Sequence, residues 1–271
     1  MNASAPVLET RALVKRFGGL AAVDGVDFQL PAVGRLHAVI GPNGAGKTTL
    51  FNLVSGRLRP TSGTILFNGE DITRLKPYRI ARLGIARTLQ IKSVFNALSV
   101  YDNILTAAQA QLATRHFFRP ATSFRETTEA VERIIEEVGL QDIARRTAGT
   151  LSYGDVAMLE LAIALASEPR LLLLDEPICG MSPAETERTV AKIVELSRRL
   201  SVILIEHDME VVFDIADDIT VMAFGRILAQ GTPREIADDP RVRDAYLGHD
   251  EDDDADDLAP AAAAMGAGAN G

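Results

Sequence analysis

Hydrophobic positions along this chain form two kinds of run, and the two alternate. Leu36–Ile40 (LHAVI), Leu171–Leu174 (LLLL) and Val202–Ile205 (VILI) are short and apolar almost throughout. Runs of this kind suit strands covered on both sides, as in a parallel sheet. Between the last two lies a segment with helical spacing. Ser182-Pro183-Ala184-Glu185 marks its start: a capping serine, a proline in the first helical position and a glutamate three residues on. That helix is predicted to run to about Leu200. Thr232-Pro233-Arg234-Glu235 repeats the start signal further along.

Residues 98–166 have a different grain. Helical periodicity dominates, as in Glu126–Val138, which Gly139 stops. Strand-like stretches occupy the first 35 residues, Thr64–Asn68, Ile219–Ala223 and Ile227–Ala229. The expected architecture is α/β: a parallel sheet core, an antiparallel β layer built from those stretches, and an inserted α-helical subdomain. The predicted boundaries are 1–90 with 167–249 for the α/β core and 91–166 for the helical subdomain.

Composition narrows the class. Of 271 residues, 47% are hydrophobic and 24% charged, ordinary values for a globular chain. No apolar run approaches the roughly 18 residues of a membrane span. Met1–Thr10 has neither a basic start nor an apolar stretch, so no secretory signal is expected. The net charge is −9, but residues 250–257 alone hold seven acids, and without them it is −2. Nucleic-acid binding through bulk positive charge is therefore disfavoured. The acids lead into Ala and Gly, and 250–271 is predicted to be a disordered tail. A lone cysteine, Cys179, makes no internal disulfide, which fits a reducing cytoplasm. It is expected to be a small apolar filler.

Candidate chemistry gathers at strand ends. Gly41-Pro42-Asn43-Gly44-Ala45-Gly46-Lys47-Thr48 fits G-x-x-x-x-G-K-[ST]. A strand, Leu36–Ile40, precedes it and a helix pattern, Thr49–Val54, follows. The glycines let backbone N–H groups turn inward around a phosphate at a helix N-terminus. Lys47 can neutralise β- and γ-oxygens, and the Thr48 hydroxyl can ligate Mg²⁺. Asp175 and Glu176 end the LLLL strand, where ligands sit in open α/β sheets. Asp175 can hold the Mg²⁺ shell, and Glu176 can orient or deprotonate an attacking water. Ser152 and Gly154, in Leu151-Ser152-Tyr153-Gly154-Asp155, open another helix pattern and offer a second anion site. Since the chain already has a phosphate loop, that site points to a phosphate from a neighbouring subunit. His207 follows a third strand and could reach a γ-phosphate. Gln90, ending Arg87-Thr88-Leu89-Gln90 at the junction with the helical insert, could bridge Mg²⁺ or water to it.

These pieces occur in the order found in ABC transporter ATPase subunits, and residues 7–248 resemble that family. Residues 41–48 resemble Walker A, Leu171–Glu176 Walker B, Leu151–Asp155 the signature motif, Gln90 the Q-loop, Gly180–Glu185 the D-loop and His207 the switch histidine. The resemblance implies that Gly41, Pro42, Asn43, Gly44, Ala45, Gly46, Lys47, Thr48 and Thr49 hold ATP with Mg²⁺. It implies that Glu176 is the catalytic base and that Phe17, in Lys15-Arg16-Phe17-Gly18-Gly19, stacks on adenine. LVKRFGGLAAVDGVDF, IGPNGAGKTTLFNLVSG, GIARTLQ, IEHDMEVVF and AYLG resemble the branched-chain amino acid importer ATPases. These belong to the hydrophobic and polar amino acid uptake group, which includes urea and amide importers.

Such a chain is expected to be an ATP hydrolase on the cytoplasmic face of the inner membrane. Its implied partners are a second ATPase subunit, identical or homologous, two membrane permeases and, indirectly, a periplasmic substrate-binding protein. Each ATP would lie between 41–49 of one subunit and 152–154 of the other, with a permease coupling helix near Gln90–Ser99. The signature departs from the family's L-S-G-G-Q at Tyr153 and Asp155, and Met158 and Ile163 stand where Arg is common. The Asp155 carboxylate is expected to offset the positive helix end and repel the phosphate. LSVYDNI and YLG also suit lipopolysaccharide-export ATPases, whereas GIARTLQ and IEHDM favour the importer. A single ATPase unit with no long coiled coil and no C-x-x-C hook argues against soluble ABC proteins of translation or repair. A P-loop kinase or GTPase leaves LSYGD and His207 unexplained.

Overall fold

A computed structural model describes residues 6–31, 34–88, 94–112 and 125–247. Strands β1 (Leu8–Phe17) and β2 (Leu20–Leu30) form a hairpin, and β3 (Leu36–Ile40) runs into helix α1 (Lys47–Val54). Strands β4 (Ser62–Phe67) and β5 (Glu70–Asp71), helix α2 (Pro77–Leu83) and strand β6 (Ile85–Arg87) follow. Helices α3 (Val100–Leu112), α4 (Arg125–Val138) and α5 (Tyr153–Leu165) lead to β7 (Leu171–Asp175) and α6 (Pro183–Ser197). The chain continues through β8 (Ser201–Ile205), α7 (Met209–Ile215), β9 (Asp218–Ala223), β10 (Arg226–Gly231), α8 (Pro233–Asp238) and α9 (Pro240–Leu247). The described residues fall into two compact units, those within Met1–Ile80 and Ser197–Gly271 and those within Ala81–Leu196.

The first unit holds an antiparallel sheet in the order β2-β1-β4-β5. It also holds parallel strands β9, β3 and β8, with β10 antiparallel at the edge. Strands β3 and β8 are buried at every position, which is why their sequences are apolar runs with no alternation. Val39 pairs with Ile205, and Ile40 with Val221. Gly41 and Glu206 therefore leave neighbouring strands at the same C-terminal edge, where an open α/β sheet takes its ligands. His37 is the polar exception within β3. Its Nε2 lies 2.7 Å from Thr220 Oγ1, and its ring stands edge-on to Phe28 with centres 5.0 Å apart. Burial first, and then the Arg35 charge, pushes its pKa down to about 4.

The second unit pairs β6 with β7 in parallel, Arg87 opposite Leu173. Helices α3, α4 and α5 pack on one another. Helix α4 buries Thr127, Val131, Ile135 and Val138, one stripe at helical spacing, and Gly139 ends it at φ +72. Helix α5 is apolar around most of its circumference and largely buried.

Two expectations change. The late strands β9 and β10 join the parallel sheet and not the antiparallel layer, because β9 is buried and pairs with β3. Strands β6 and β7 and all but the last residue of α6 group with helices α3, α4 and α5 in the second unit. Helix α6 stops at Ser197, short of Leu200. The start signal at Thr232 is a full capping box, and at Ser182 the backbone N–H donates to Glu185 as expected. Among the described residues no helix is long and apolar enough to cross a membrane. The expected tail, 250–271, lies outside the described residues.

Candidate functional site

The turn after β3 is shaped by carbonyl groups of other strands. A Cβ on Gly41 would stand 2.0 Å from the Met222 carbonyl oxygen, and one on Gly46 2.3 Å from that of Ala22. Both positions also take positive φ, +144 and +103, so only glycine fits them. The β9–β10 turn braces the loop: the Gly225 N–H donates to the Ala45 carbonyl at 3.0 Å. In turn the Gly225 carbonyl accepts from Asp24 N–H at 2.8 Å. Lys47 opens α1 and is buried. Its ammonium donates to the carbonyl oxygens of Gly41 and of Pro42, the latter at 3.1 Å. A buried cation held on loop carbonyls at a helix N-terminus is suited to an incoming anion with several acceptor oxygens. Asn43, Gly44 and Thr48 are exposed, and Thr49 is half-buried.

The same unit displays three further side chains. His207 is exposed directly after β8, its N–H donating to Glu206 Oε2 at 3.2 Å. Asp208 caps α7 by accepting from Val211 N–H at 3.1 Å, so the helix begins just beyond the histidine. Phe17 ends β1 opposite Leu20 and is 47% exposed, with Lys15 Nζ 5.0 Å from its ring centre. Phe224 was not expected as a site residue. It is 78% exposed at φ +49, beside the Gly225 that braces the phosphate loop. The sequence signal was a Phe-Gly pair closing a strand pattern.

In the second unit, Asp175 is buried at the end of β7. Arg87, at the end of β6, donates from Nη2 to Asp175 Oδ2 at 2.8 Å. Asp175 Oδ1 is buried with no hydrogen-bond partner among the described residues. Glu176 follows at φ +53, a left-handed conformation that costs a non-glycine residue roughly 1 kcal/mol or more and is tolerated mainly at functional positions. Cys179 is exposed on the turn beyond, so it is not the apolar filler expected. The sequence alone does not single out Arg87, and Gln90, the expected site residue of that segment, lies outside the described residues.

Ser152 is the N-cap of α5, its hydroxyl accepting from Asp155 N–H at 3.2 Å. Gly154 N–H donates to Glu185 Oε1 at 3.1 Å. A Cβ on Gly154 would meet the Glu185 Cβ at 2.8 Å, so glycine makes room for that side chain. Glu185 Oε2 accepts from the Ser182 N–H at 3.0 Å and the Ser182 hydroxyl at 2.8 Å. Hydrogen bonds from the Ser152 hydroxyl first, then from Ser182 and Gly154, hold the Glu185 pKa down to about 2. Asp155 Oδ1 lies 3.1 Å from Arg188 Nη1. The expected repulsion of a phosphate by Asp155 is therefore answered by a local cation. Met158 is buried, so an apolar residue there serves packing.

The comparisons with known proteins agree with one another. A family profile described as ABC transporter matches residues 23–179. Another, described as branched-chain amino acid ATP-binding cassette transporter, matches 226–252. The chain is 44% identical over 253 residues to the high-affinity branched-chain amino acid transport ATP-binding protein BraF of Pseudomonas aeruginosa, covering 90% of this chain and 99% of that one. It is 42% identical, with the same coverage, to the corresponding protein LivG of Escherichia coli K12. Among solved structures, a nucleotide-free ATP-binding cassette from an ABC transporter aligns at TM-score 0.80 and 30% identity, covering 90% of this chain and 100% of that one. The ADP conformation of MJ1267, an ATP-binding cassette of an ABC transporter, aligns at TM-score 0.80 and 30% identity over 90% and 99%.

Proposed function

Since the chain belongs to the ABC transporter ATPase family, we propose that it hydrolyses ATP to drive uptake of branched-chain amino acids through partner permeases. The observation that carries the ATP site is Lys47, buried on the carbonyls of a loop in which Gly41 and Gly46 cannot be replaced. The amino acid class rests on the relatives' function, since cargo is chosen by other chains.

Each side chain has a role in this reading. The backbone N–H groups of Gly44, Ala45, Gly46, Lys47, Thr48 and Thr49 bind the phosphates, and Lys47 moves from loop carbonyls to β- and γ-oxygens. Phe17 stacks on adenine. Glu176 holds and deprotonates the attacking water, and His207 hydrogen-bonds the γ-phosphate. Ser152 and Gly154 contact the ATP of a second ATPase subunit, identical or homologous. The residues fit Mg²⁺: Asp175 keeps one buried carboxylate oxygen without a partner, and Thr48 offers an exposed hydroxyl. Thr48, Asp175 and Gln90 would hold the ion. When bound it would neutralise phosphate oxygens and so ease charge build-up during transfer. The chain would act as a peripheral subunit on the cytoplasmic membrane face, its permeases served by a periplasmic binding protein.

The test is reconstitution with candidate permeases and a binding protein, sought first in the neighbouring reading frames. Leucine, isoleucine or valine should stimulate ATP hydrolysis in proteoliposomes, and the Glu176→Gln variant should abolish both hydrolysis and uptake. Hydrolysis that ignores these amino acids but follows another solute would reassign the cargo. Absence of ATP binding by the chain would overturn the whole reading.

A further inference from the structure

Arg87 and Asp175 form a buried ion pair, with side-chain exposures of 8% and 0%. They are brought together by the parallel pairing of β6 with β7, which sets Arg87 opposite Leu173, two residues before the aspartate. Only one carboxylate oxygen is used: Oδ2 accepts from Arg87 Nη2 at 2.8 Å. The other, Oδ1, is fully buried and has no partner among the described residues. A buried acceptor left open is rare and points to a ligand that the oxygen awaits. The acid donors nearby are few. No cluster of three or more His, Cys, Asp or Glu among the described residues could hold a metal. A divalent cation arriving alone would meet one half-used carboxylate whose charge a guanidinium already cancels. Most of its ligands would have to come from phosphate oxygens.

We propose that Arg87 is a positioning residue and resident counter-cation for Asp175. It fixes the carboxylate, reserves Oδ1, and keeps the pair neutral so that a divalent cation is admitted only together with nucleotide phosphates. This rests on the reading of Asp175 as a Mg²⁺ ligand. Without Arg87, a buried carboxylate would have no countercharge, and free Mg²⁺ would take its place. The guanidinium thus sets the order of binding: nucleotide with metal, never metal first.

The test reads cation binding without turnover. Mn²⁺, as a spectroscopic stand-in for Mg²⁺, is titrated against the full chain by electron paramagnetic resonance, with and without ADP. Wild type should bind Mn²⁺ only with ADP. Arg87→Gln should bind Mn²⁺ without nucleotide at least tenfold more tightly than wild type, and free Mg²⁺ should raise its thermal midpoint by several degrees while leaving wild type unmoved. Arg87→Gln/Asp175→Asn, an uncharged pair, should lose both effects. Nucleotide-independent Mn²⁺ binding by wild type overturns the proposal, and this arm stands even if Arg87→Gln fails to fold. So does an Arg87→Gln variant that folds and ignores the cation. If Asp175→Asn leaves ADP-dependent Mn²⁺ binding unchanged, the assignment of Asp175 as a metal ligand is what fails.

Discussion

The guanidinium of Arg188 lies 3.1 Å from the carboxylate of Asp155, so the acid in the first turn of α5 has a partner 33 residues away. The pair is partly exposed, 46% and 18%, and surface pairs of this kind contribute roughly 0.2–1 kcal/mol. On the proposed placement of a second subunit's phosphate at Ser152 and Gly154, an energy of that size should change the ATP requirement by up to about fivefold. Arg188→Met, made in Glu176→Gln to prevent turnover, is expected to raise the ATP concentration for half-maximal dimerisation. Asp155→Gln in the same background should lower it, by leaving Arg188 unopposed. Midpoints that move in the opposite order would show that neither charge faces the phosphate.

Glu176→Gln should lower hydrolysis by roughly 10²–10⁴-fold and leave ATP affinity within about twofold, because the amide keeps the size and loses the base. The φ of +53 at this position adds a stability signature. Glu176→Gly should unfold at the same temperature as Glu176→Gln or higher, since glycine adopts that conformation without strain. A lower midpoint for the glycine variant would mean that the backbone there is not strained.

Lys47→Ala removes a charged donor from the phosphates, so ATP affinity should fall by roughly tenfold or more in a fluorescence titration. Gly46→Ala should lose binding for a different reason. Its Cβ would stand 2.3 Å from a backbone oxygen, so the thermal midpoint should drop as well. Lys47→Ala with unchanged affinity would refute the ammonium's role.

His37 gives a pH signature. Its pKa falls from 6.5 to about 4 on folding, so the unfolded chain takes up the proton first. The stability that neutral His37 permits is complete above pH 6.5 and is lost progressively as pH falls through about 4, by roughly 3 kcal/mol. His37→Leu should flatten chemical unfolding free energies across that window, with Thr220 still bonded to Gln230 at 2.8 Å. An unchanged slope would show that other groups carry the acid sensitivity.

Local signals in the chain foretold local structure well. The apolar runs at β3, β7 and β8 report burial on both faces, and the phosphate loop, the capped helix starts and the two acids at the end of β7 are each written in consecutive residues. What escaped was pairing across distance. Nothing near Arg87 says that β6 runs beside β7, so its bond to a residue 88 positions on is invisible in the sequence. Strand-like patterning marked β9 and β10 as strands but could not say which sheet they enter, because alternation encodes faces and not neighbours. The partner of Asp155, Arg188, is hidden for the same reason.

The two carbonyls that press on the phosphate loop belong to Met222 in β9 and Ala22 in β2, and neither lies within 41–48. Mutational drift in this protein is thereby constrained from outside the motif. Gly41 and Gly46 cannot vary while those strands stay put. The converse is less obvious. The β1–β2 hairpin carries register irregularities between Thr10 and Arg16, close to where Ala22 is fixed opposite the loop. A slip there would drive a carbonyl into a glycine some twenty residues downstream, so loss-of-function variants should also arise in strand residues that hold no motif.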